Sequence, residues 1–238
     1  MDLLTEGFEK YNELLTNERS SKIEDVVRWR QQNFTVVLEN IHDPHNLGAI
    51  IRSCDAAGIG EVHVIYHLEG INSDIKYIGK RASRGAAKWV DVSFYDNIED
   101  CILMLKSRGF SILATALHAN SENLYDTDLT KSIAIVFGNE KEGITKDLLS
   151  YCDGNIVIPM FGMVQSLNVS NAAAVILFEM VRQRHKVGNY SVALNAQDDR
   201  TVSLLNEYIA RTRPRIAQND IKVIGGFVDQ ILSNNKEK

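Results

Sequence analysis

The stretch Ile158-Pro-Met-Phe-Gly-Met-Val-Gln-Ser-Leu-Asn-Val-Ser170 joins a short apolar run to a long helical pattern through a polar turn, and its reading decides the fold. A turn between Pro159 and Asn168 leaves backbone N–H and C=O groups outside any helix or strand, free to hold a ligand. Two segments of the same kind precede it. Ile133-Ala-Ile-Val-Phe-Gly-Asn-Glu140 is an apolar β-type run ending in Gly138, followed by a loop, Asn139 to Gly143, that carries Glu140, Lys141 and Glu142. Phe34-Thr-Val-Val-Leu38 leads through Asp43-Pro-His-Asn-Leu-Gly48 into a helical pattern carrying Arg52. All three polar loops follow the C-terminal ends of expected strands, where open parallel sheets bind ligands.

Outward from these segments, strand-like runs near 34–38, 62–65, 89–92, 111–115, 133–137 and 155–158 alternate with helical patterns near 46–58, 73–86, 97–108, 145–150 and 168–186. The strands are short, rich in Val and Ile, and apolar on both faces, which predicts an α/β fold whose parallel sheet is covered by helices on each side. Residues 1–32 read as a helical extension, with Phe8, Tyr11, Leu14 and Leu15 on one stripe and Val26 and Val27 closing a second short helix. The body runs from 33 to 188. Residues 189–238 form a C-terminal extension, polar from Asn189 to Arg200, with helical patterns at Thr201–Ala210 and Ile221–Leu232 and a frayed end from Ser233.

At 238 residues and 45% hydrophobic content, the chain can bury one sizeable core. It lacks a run of about 18 apolar residues, and its opening Met1-Asp-Leu-Leu-Thr-Glu has neither a basic region nor an apolar signal, so a soluble, unexported, cytoplasmic protein is expected. Cys54, Cys101 and Cys152 are odd in number and far apart, the pattern of structural thiols rather than of a disulfide framework or a zinc site. A net charge of −5 does not advertise a nucleic-acid binder, since Lys and Arg normally supply most of that affinity. Yet cations cluster at Arg19, Lys22, Arg28 and Arg30, at Lys76, Lys80, Arg81, Arg84 and Lys88, at Arg182, Arg184, His185 and Lys186, and at Arg211, Arg213 and Arg215. Singly, each group reads as an ordinary solvated face; together the four suit a polyanionic partner.

Several chemistries are poorly supported. The loop Phe137-Gly-Asn-Glu-Lys-Glu-Gly143 lacks the Gly-Lys-Ser/Thr ending of a phosphate-cradling loop, and the chain has no Gly-x-Gly-x-x-Gly. His42 and His45 have no third ligand nearby, so no metal is expected. Ser166 lacks the context of a nucleophile elbow. The remaining polar residues each have a structural alternative: Asn46 as a helix N-cap, Arg52 paired with Asp55, Asn168 and Ser170 capping the long helix, and Glu140 as solvated loop charge.

Taken together, Asn46-x-Gly48 with Arg52, Phe137-Gly-Asn-Glu140-x-x-Gly143, and Ile158-Pro-Met160 with Ser166-Leu-Asn168 resemble, in order and type, the three motifs of the SpoU/TrmH family. These are RNA ribose 2′-O-methyltransferases of the SPOUT class, and the resemblance spans about Phe34 to Arg184. It implies a C-terminal trefoil knot, formed by roughly Ser132 to Lys186, that binds S-adenosylmethionine. It also implies a homodimer sharing its RNA site, with tRNA the favoured substrate. Thr115, Gly138, Ile158, Met160 and Leu167 would contact the cofactor, largely through backbone groups. Arg52 would activate the ribose hydroxyl, with Asn46 and Ser166 orienting the site, Asn168 supporting it or the cofactor turn, and Glu140 holding its loop. An arginine with a pKa above about 12 is a poor base, so Arg52 is expected to act at least partly by electrostatics, on a developing alkoxide or the adjacent phosphate. Arg19, Arg28, Arg30, Lys88, Arg211, Arg213 and Arg215 are the expected phosphate contacts. The same resemblance leaves two alternatives: a ribosomal RNA 2′-O-methyltransferase, and a non-catalytic RNA-binding protein retaining the fold.

Overall fold

β-Branched and aromatic residues fill the run Phe34–Glu39, and every one of its six residues is buried; it forms β1, the strand about which the sheet is built. A computed structural model of the chain describes residues 17–68, 83, 85–116, 121–191 and 199–212. In chain order these form α1 (Asn17–Trp29), β1, α2 (Pro44–Ala56), β2 (Glu61–Ile65), a 3₁₀ turn (Ala86–Lys88), β3 (Asp91–Tyr95), α3 (Ile98–Ser107), β4 (Ser111–Ala114) and β5 (Glu122–Asn123). β6 (Ile133–Phe137), α4 (Lys146–Ser150), β7 (Gly154–Val157), α5 (Val169–Lys186) and α6 (Asp199–Thr212) follow. The strands lie in the order β3-β2-β1-β6-β4-β7-β5 with every pairing parallel.

A parallel sheet must bury both faces, and it does so against two helix layers. On one side Val36, Leu38, Val62, Val64 and Ile135 meet Leu47, Ile50, Ile51 and Cys54 of α2 and Ala173, Ile176, Leu177 and Met180 of α5. On the other, Val37, Ile65, Ala134 and Val136 meet Ile98, Cys101, Ile102 and Leu105 of α3 and Leu148 of α4. Removing each such large side chain from water contributes roughly 1.5–3 kcal/mol. Cys54 and Cys101 are free and buried in these cores, and Cys152 is free and half-buried; burial pushes the Cys101 thiol up to about 12. No described helix is long and apolar enough to cross a membrane.

Two strands depart from the sequence reading. The third begins at Asp91 rather than 89, because Ala86–Lys88 coil into a 3₁₀ turn that Trp89 and Val90 close by donating to the Ala86 carbonyl. β5 was not expected at all, being only two polar residues long. The helix expected at 73–86 lies mostly outside the described residues, as do the stripe from Phe8 to Leu15 and the helix expected at 221–232.

The parts of the terminal extensions that are described pack on each other: Ile23 and Val27 of α1 meet Leu205 and Tyr208 of α6, with Trp89 beside them. Arg30 locks this corner to the body. It donates to the Tyr208 hydroxyl at 2.7 Å, the Ile59 carbonyl at 2.8 Å, Asp55 at 2.6 Å and the Trp89 carbonyl at 3.1 Å. With 6% of its surface exposed, Arg30 cannot reach a phosphate, which corrects its assignment as an RNA contact. Arg184, one of the third basic group, is likewise internal. It donates to the carbonyls of Leu129, Lys131 and Asn33 and to the side chains of Gln31 and Asn33, and its guanidinium lies over the Phe34 ring.

His63 of β2 is buried on the α3 side of the sheet, with Nδ1 3.2 Å from the Tyr95 hydroxyl and Nε2 without a partner among the described residues. Burial, against the attraction of Glu61 and with the repulsion of Arg108, lowers its pKa from 6.5 to about 4. The folded imidazole therefore stays neutral while the unfolded one takes up a proton below about pH 6.5. Stability should be full above that pH and fall by up to about 3 kcal/mol between pH 6.5 and 4 from this group. In His63→Gln, urea unfolding at pH 7 and pH 4 should show that component gone.

Candidate active site

The site is built where strands end. β1 closes on Glu39, whose side chain is fully buried, and Asn40 follows with φ of 51°, a left-handed conformation that asparagine tolerates. The chain then turns into α2, whose N-cap is Asp43: its carboxylate accepts the His45 N–H at 2.8 Å, and Pro44 occupies the first turn. Asn46 is thus not the cap, one of the roles open to it from sequence. Its side chain turns inward, Nδ2 donating to Glu140 Oε1 at 2.7 Å and Oδ1 accepting from Asn168 Nδ2 at 3.2 Å. Arg52 lies about 9 Å farther along the helix axis. It is exposed, and among the described residues it has no hydrogen bond or ion pair; Asp55, its alternative partner, pairs with Arg30.

β6 ends at Phe137 and the chain folds back on itself. Asn139 and Gly143 exchange backbone hydrogen bonds at 3.0 and 2.9 Å, and Gly143 adopts φ of 72°. The Asn139 side chain accepts the Lys141 and Glu142 N–H groups and donates to the Asn40 carbonyl at 2.9 Å. Gly138 lies beneath this loop: a Cβ there would fall 2.3 Å from the Gly143 carbonyl carbon and 2.4 Å from the Ile144 nitrogen, both backbone atoms. Burial, with the Glu140 carboxylate nearby, pushes the Tyr66 phenol up beside this region.

β6, β4 and β7 are adjacent in the sheet, so Gly138, Thr115 and Ile158 leave it along one edge, with Pro159 and Met160 following. Thr115 donates both its N–H and its hydroxyl to the Val136 carbonyl, at 3.0 and 2.8 Å. Ile158 and Met160 are half-buried, but the turn from Phe161 to Asn168 stands in water, with Phe161 96% and Met163 100% exposed. Leu167 and Ser166 are exposed on it, and Ser166 has no hydrogen bond among the described residues. Asn168 caps α5, accepting from the Ser170 N–H at 2.9 Å and the Ser170 hydroxyl.

Of the sequence-derived set, hydrogen bonds join Asn46, Glu140 and Asn168 directly, and strand order gathers Thr115, Gly138, Ile158 and Met160. Arg52, Ser166 and Leu167 stay on the open side. Sequence reasoning missed Glu39, Asn40, Asn139 and Thr145, which fasten the loops; a carboxylate closing an apolar strand was the available signal. A cleft of about 240 Å³ lined by Arg30, Glu61, Asp91, Arg200 and Glu207 lies at the N-terminal ends of β2 and β3, away from the strand ends that carry these groups. Among the described residues no cluster of His, Cys, Asp and Glu could hold a metal.

Among the expected phosphate contacts, Arg19 and Lys88 lie over the Trp89 ring, and Arg28 is 3.7 Å from Asp25 on the exposed side of α1. Arg211, half-exposed, donates to Asp91, Glu207 and the Lys88 carbonyl. Arg213 and Arg215 lie outside the described residues.

Residues 33–178 match the model of the SpoU rRNA Methylase family. The tRNA (guanosine(18)-2′-O)-methyltransferase of Thermus thermophilus is 46% identical over 175 residues, covering 74% of this chain and 88% of that protein. The crystal structure of the A. aeolicus TrmH/SpoU tRNA modifying enzyme superposes with a TM-score of 0.71 at 35% identity, covering 83% of this chain and 98% of that one. The SpoU methyltransferase AviRb from Streptomyces viridochromogenes, in complex with AdoMet, gives a TM-score of 0.58 at 28% identity, covering 66% and 62%.

Because backbone cannot yield as a flexible side chain does, Gly138→Ala should destabilise the protein by about 1–3 kcal/mol or displace the loop. Urea unfolding, together with amide hydrogen exchange of residues 139–143, should register one or the other.

Proposed function

The chain belongs to the SpoU rRNA methylase family, and on that footing we propose that it transfers a methyl group from S-adenosylmethionine to a ribose 2′-hydroxyl of tRNA, at guanosine 18 as its relatives' names specify. The observation that carries the site is the hydrogen-bonded chain Glu140–Asn46–Asn168, which ties together three strand-end loops far apart in sequence. Beside it Thr115, Gly138, Ile158 and Met160 share one edge of the sheet. Apart from a threonine hydroxyl already engaged by Val136, they offer backbone groups and apolar surface, a set that fits an adenine and a thioether-like chain. When bound, S-adenosylmethionine supplies an electrophilic sulfonium methyl.

The protein's own residues then have two tasks: to align the ribose oxygen and to stabilise charge as its proton leaves. Arg52 is the exposed cation for the second task. A guanidinium is a poor base, so Arg52 acts by donating hydrogen bonds to a developing alkoxide or the neighbouring phosphate. Asn46 and Asn168 hold the loops in register, Glu140 anchors them, Ser166 helps orient the site and Leu167 lies against the cofactor.

We further assign residues 33–188 to the methyltransferase domain, with extensions at 1–32 and 189–238, and Ser132–Lys186 to a trefoil knot. β7 pairs outside β4, yet α5 returns across the sheet to pack on α2, as a threaded segment would. The exposed Phe161, Met163 and Val164, with Phe178 of α5, suit burial against a second copy in a homodimer. A cytoplasmic tRNA enzyme of this kind would use Arg19, Arg28 and Lys88, with Arg213 and Arg215, for phosphates.

Mass mapping of 2′-O-methylated nucleotides in RNA from cells with and without the protein should show a single tRNA position losing its methyl group. Loss in ribosomal RNA instead would reassign the substrate, and no loss would leave an RNA-binding role. Arg52→Lys should lower kcat by roughly 10²-fold or more at unchanged cofactor affinity, because a point charge replaces a planar fork; near-full activity would exclude a need for the guanidinium. Replacing Arg19, Arg28 and Lys88 by Ala should weaken tRNA binding and flatten its salt dependence while leaving cofactor affinity intact. An unchanged slope would remove them from the interface.

A further inference from the structure

The Glu39 carboxylate has no place in the chemistry above, yet it is fully buried at the end of the central strand. Burying an ionised carboxylate is costly unless hydrogen bonds compensate it, and here they do. Oε2 accepts the Thr145 N–H at 2.8 Å, while Oε1 accepts the Thr145 hydroxyl at 2.5 Å and faces His67 Nε2 at 2.8 Å. An ionised carboxylate only accepts, so the proton belongs on His67 Nε2; the Asn40 amide nitrogen 3.1 Å from the same atom then finds no lone pair there.

Thr145 is where this matters. It ends the loop that begins at Gly138, and its hydroxyl also accepts the Leu148 N–H to start α4. The loop is thereby fastened to the β1–α2 segment at three places: Thr145 to Glu39, Asn139 to the Asn40 carbonyl, and Glu140 to Asn46. Only the first ends on a fully buried carboxyl group. An apolar residue at 39 would fill the space but leave the Thr145 N–H and hydroxyl without acceptors, so the loop's far end would be free to shift over Gly138.

We propose that Glu39, oriented by His67, is a positioning residue that sets cofactor affinity by holding Thr145 and with it the Gly138–Ile144 loop. This rests on the reading of that loop as part of the S-adenosylmethionine site. Glu39 is fully buried and acts through Thr145 on the loop, so its effect belongs in cofactor binding rather than in the methyl-transfer step.

The test compares full-length wild type with Glu39→Gln, Thr145→Val and Thr145→Ser. It measures S-adenosylmethionine Kd by calorimetry, KM for the cofactor and kcat with tRNA, and thermal unfolding. Glu39→Gln and Thr145→Val should each raise Kd and cofactor KM at least tenfold, with the smaller change in kcat. A variant carrying both Glu39→Gln and Thr145→Val should be little worse than either single one, because both weaken the same contact between the Thr145 hydroxyl and Glu39. Thr145→Ser, which keeps the hydroxyl, should stay within threefold of wild type. Should Glu39→Gln fail to fold, the contrast between valine and serine at 145 decides. Folded variants of lowered melting temperature but unchanged Kd would overturn the positioning role alone. A wild type that binds no S-adenosylmethionine would overturn the functional reading and this role with it.

Discussion

The space that a Cβ of residue 138 would need is occupied by the backbone of Gly143 and Ile144. The loop's fastening to the rest of the site depends on that approach. Because the chain lies directly over the end of β6, the Asn139–Gly143 bridge can close and Asn139 can point its amide at the Asn40 carbonyl. With the loop held there, Glu140 comes within 2.7 Å of Asn46, which belongs to a helix 94 residues earlier in the chain. A side chain at 138 would separate these partners by more than hydrogen bonds tolerate. The constraint is one of excluded volume, and polar geometry is built on top of it.

Buried cations hold the frame around this site. Arg184 occupies the C-terminal part of α5 and fastens it to Gln31, Asn33, Leu129 and Lys131. Burial lowers its pKa from the usual arginine range to about 10, so it stays charged at neutral pH, and the groups that accept its hydrogen bonds are all neutral. Arg30 does the equivalent work at the other end, tying Asp55, Ile59, Trp89 and Tyr208 together. Five donors in a rigid fork suit such junctions better than the point charge of a lysine. The consequence is electrostatic. Cations that composition places on the surface are inside, leaving a smaller exposed set around Trp29 and Trp89: Arg19, Lys22, Arg28 and Lys88.

The strand and helix alternation was legible because buried parallel strands announce themselves as Val/Ile runs, and five of the six expected strands stand within a residue or so of the observed limits. β5 was not, since two polar residues carry no periodic signal; its existence depends on pairing with β7. Glu140, Asn46 and Asn168 could be named from the resemblance to the family's motifs, but their mutual hydrogen bonds could not, because nothing local fixes which loops meet. The misreading of Arg30 has a plain cause. A cluster of cations in sequence looks the same whether it faces water or acceptors on other elements, and only tertiary placement separates the two.

The polarity of the active-site chain is set by a helix cap. An asparagine amide can present oxygen or nitrogen in either direction, so a string of amides has no inherent sense. Asn168 removes that freedom: as N-cap of α5 its Oδ1 must accept the Ser170 N–H, which leaves only Nδ2 to face Asn46. Asn46 then has to offer Oδ1 to Asn168 and Nδ2 to the next group, and a donor there calls for an acceptor, which Glu140 supplies as a carboxylate. One capping interaction at the start of an 18-residue helix thus dictates the orientation of two side-chain amides and the chemical type of a third residue on another loop. Exchanging Glu140 for a donor would therefore oppose two donors at 2.7 Å, and relieving that clash by rotating Asn46 would in turn break its match with Asn168.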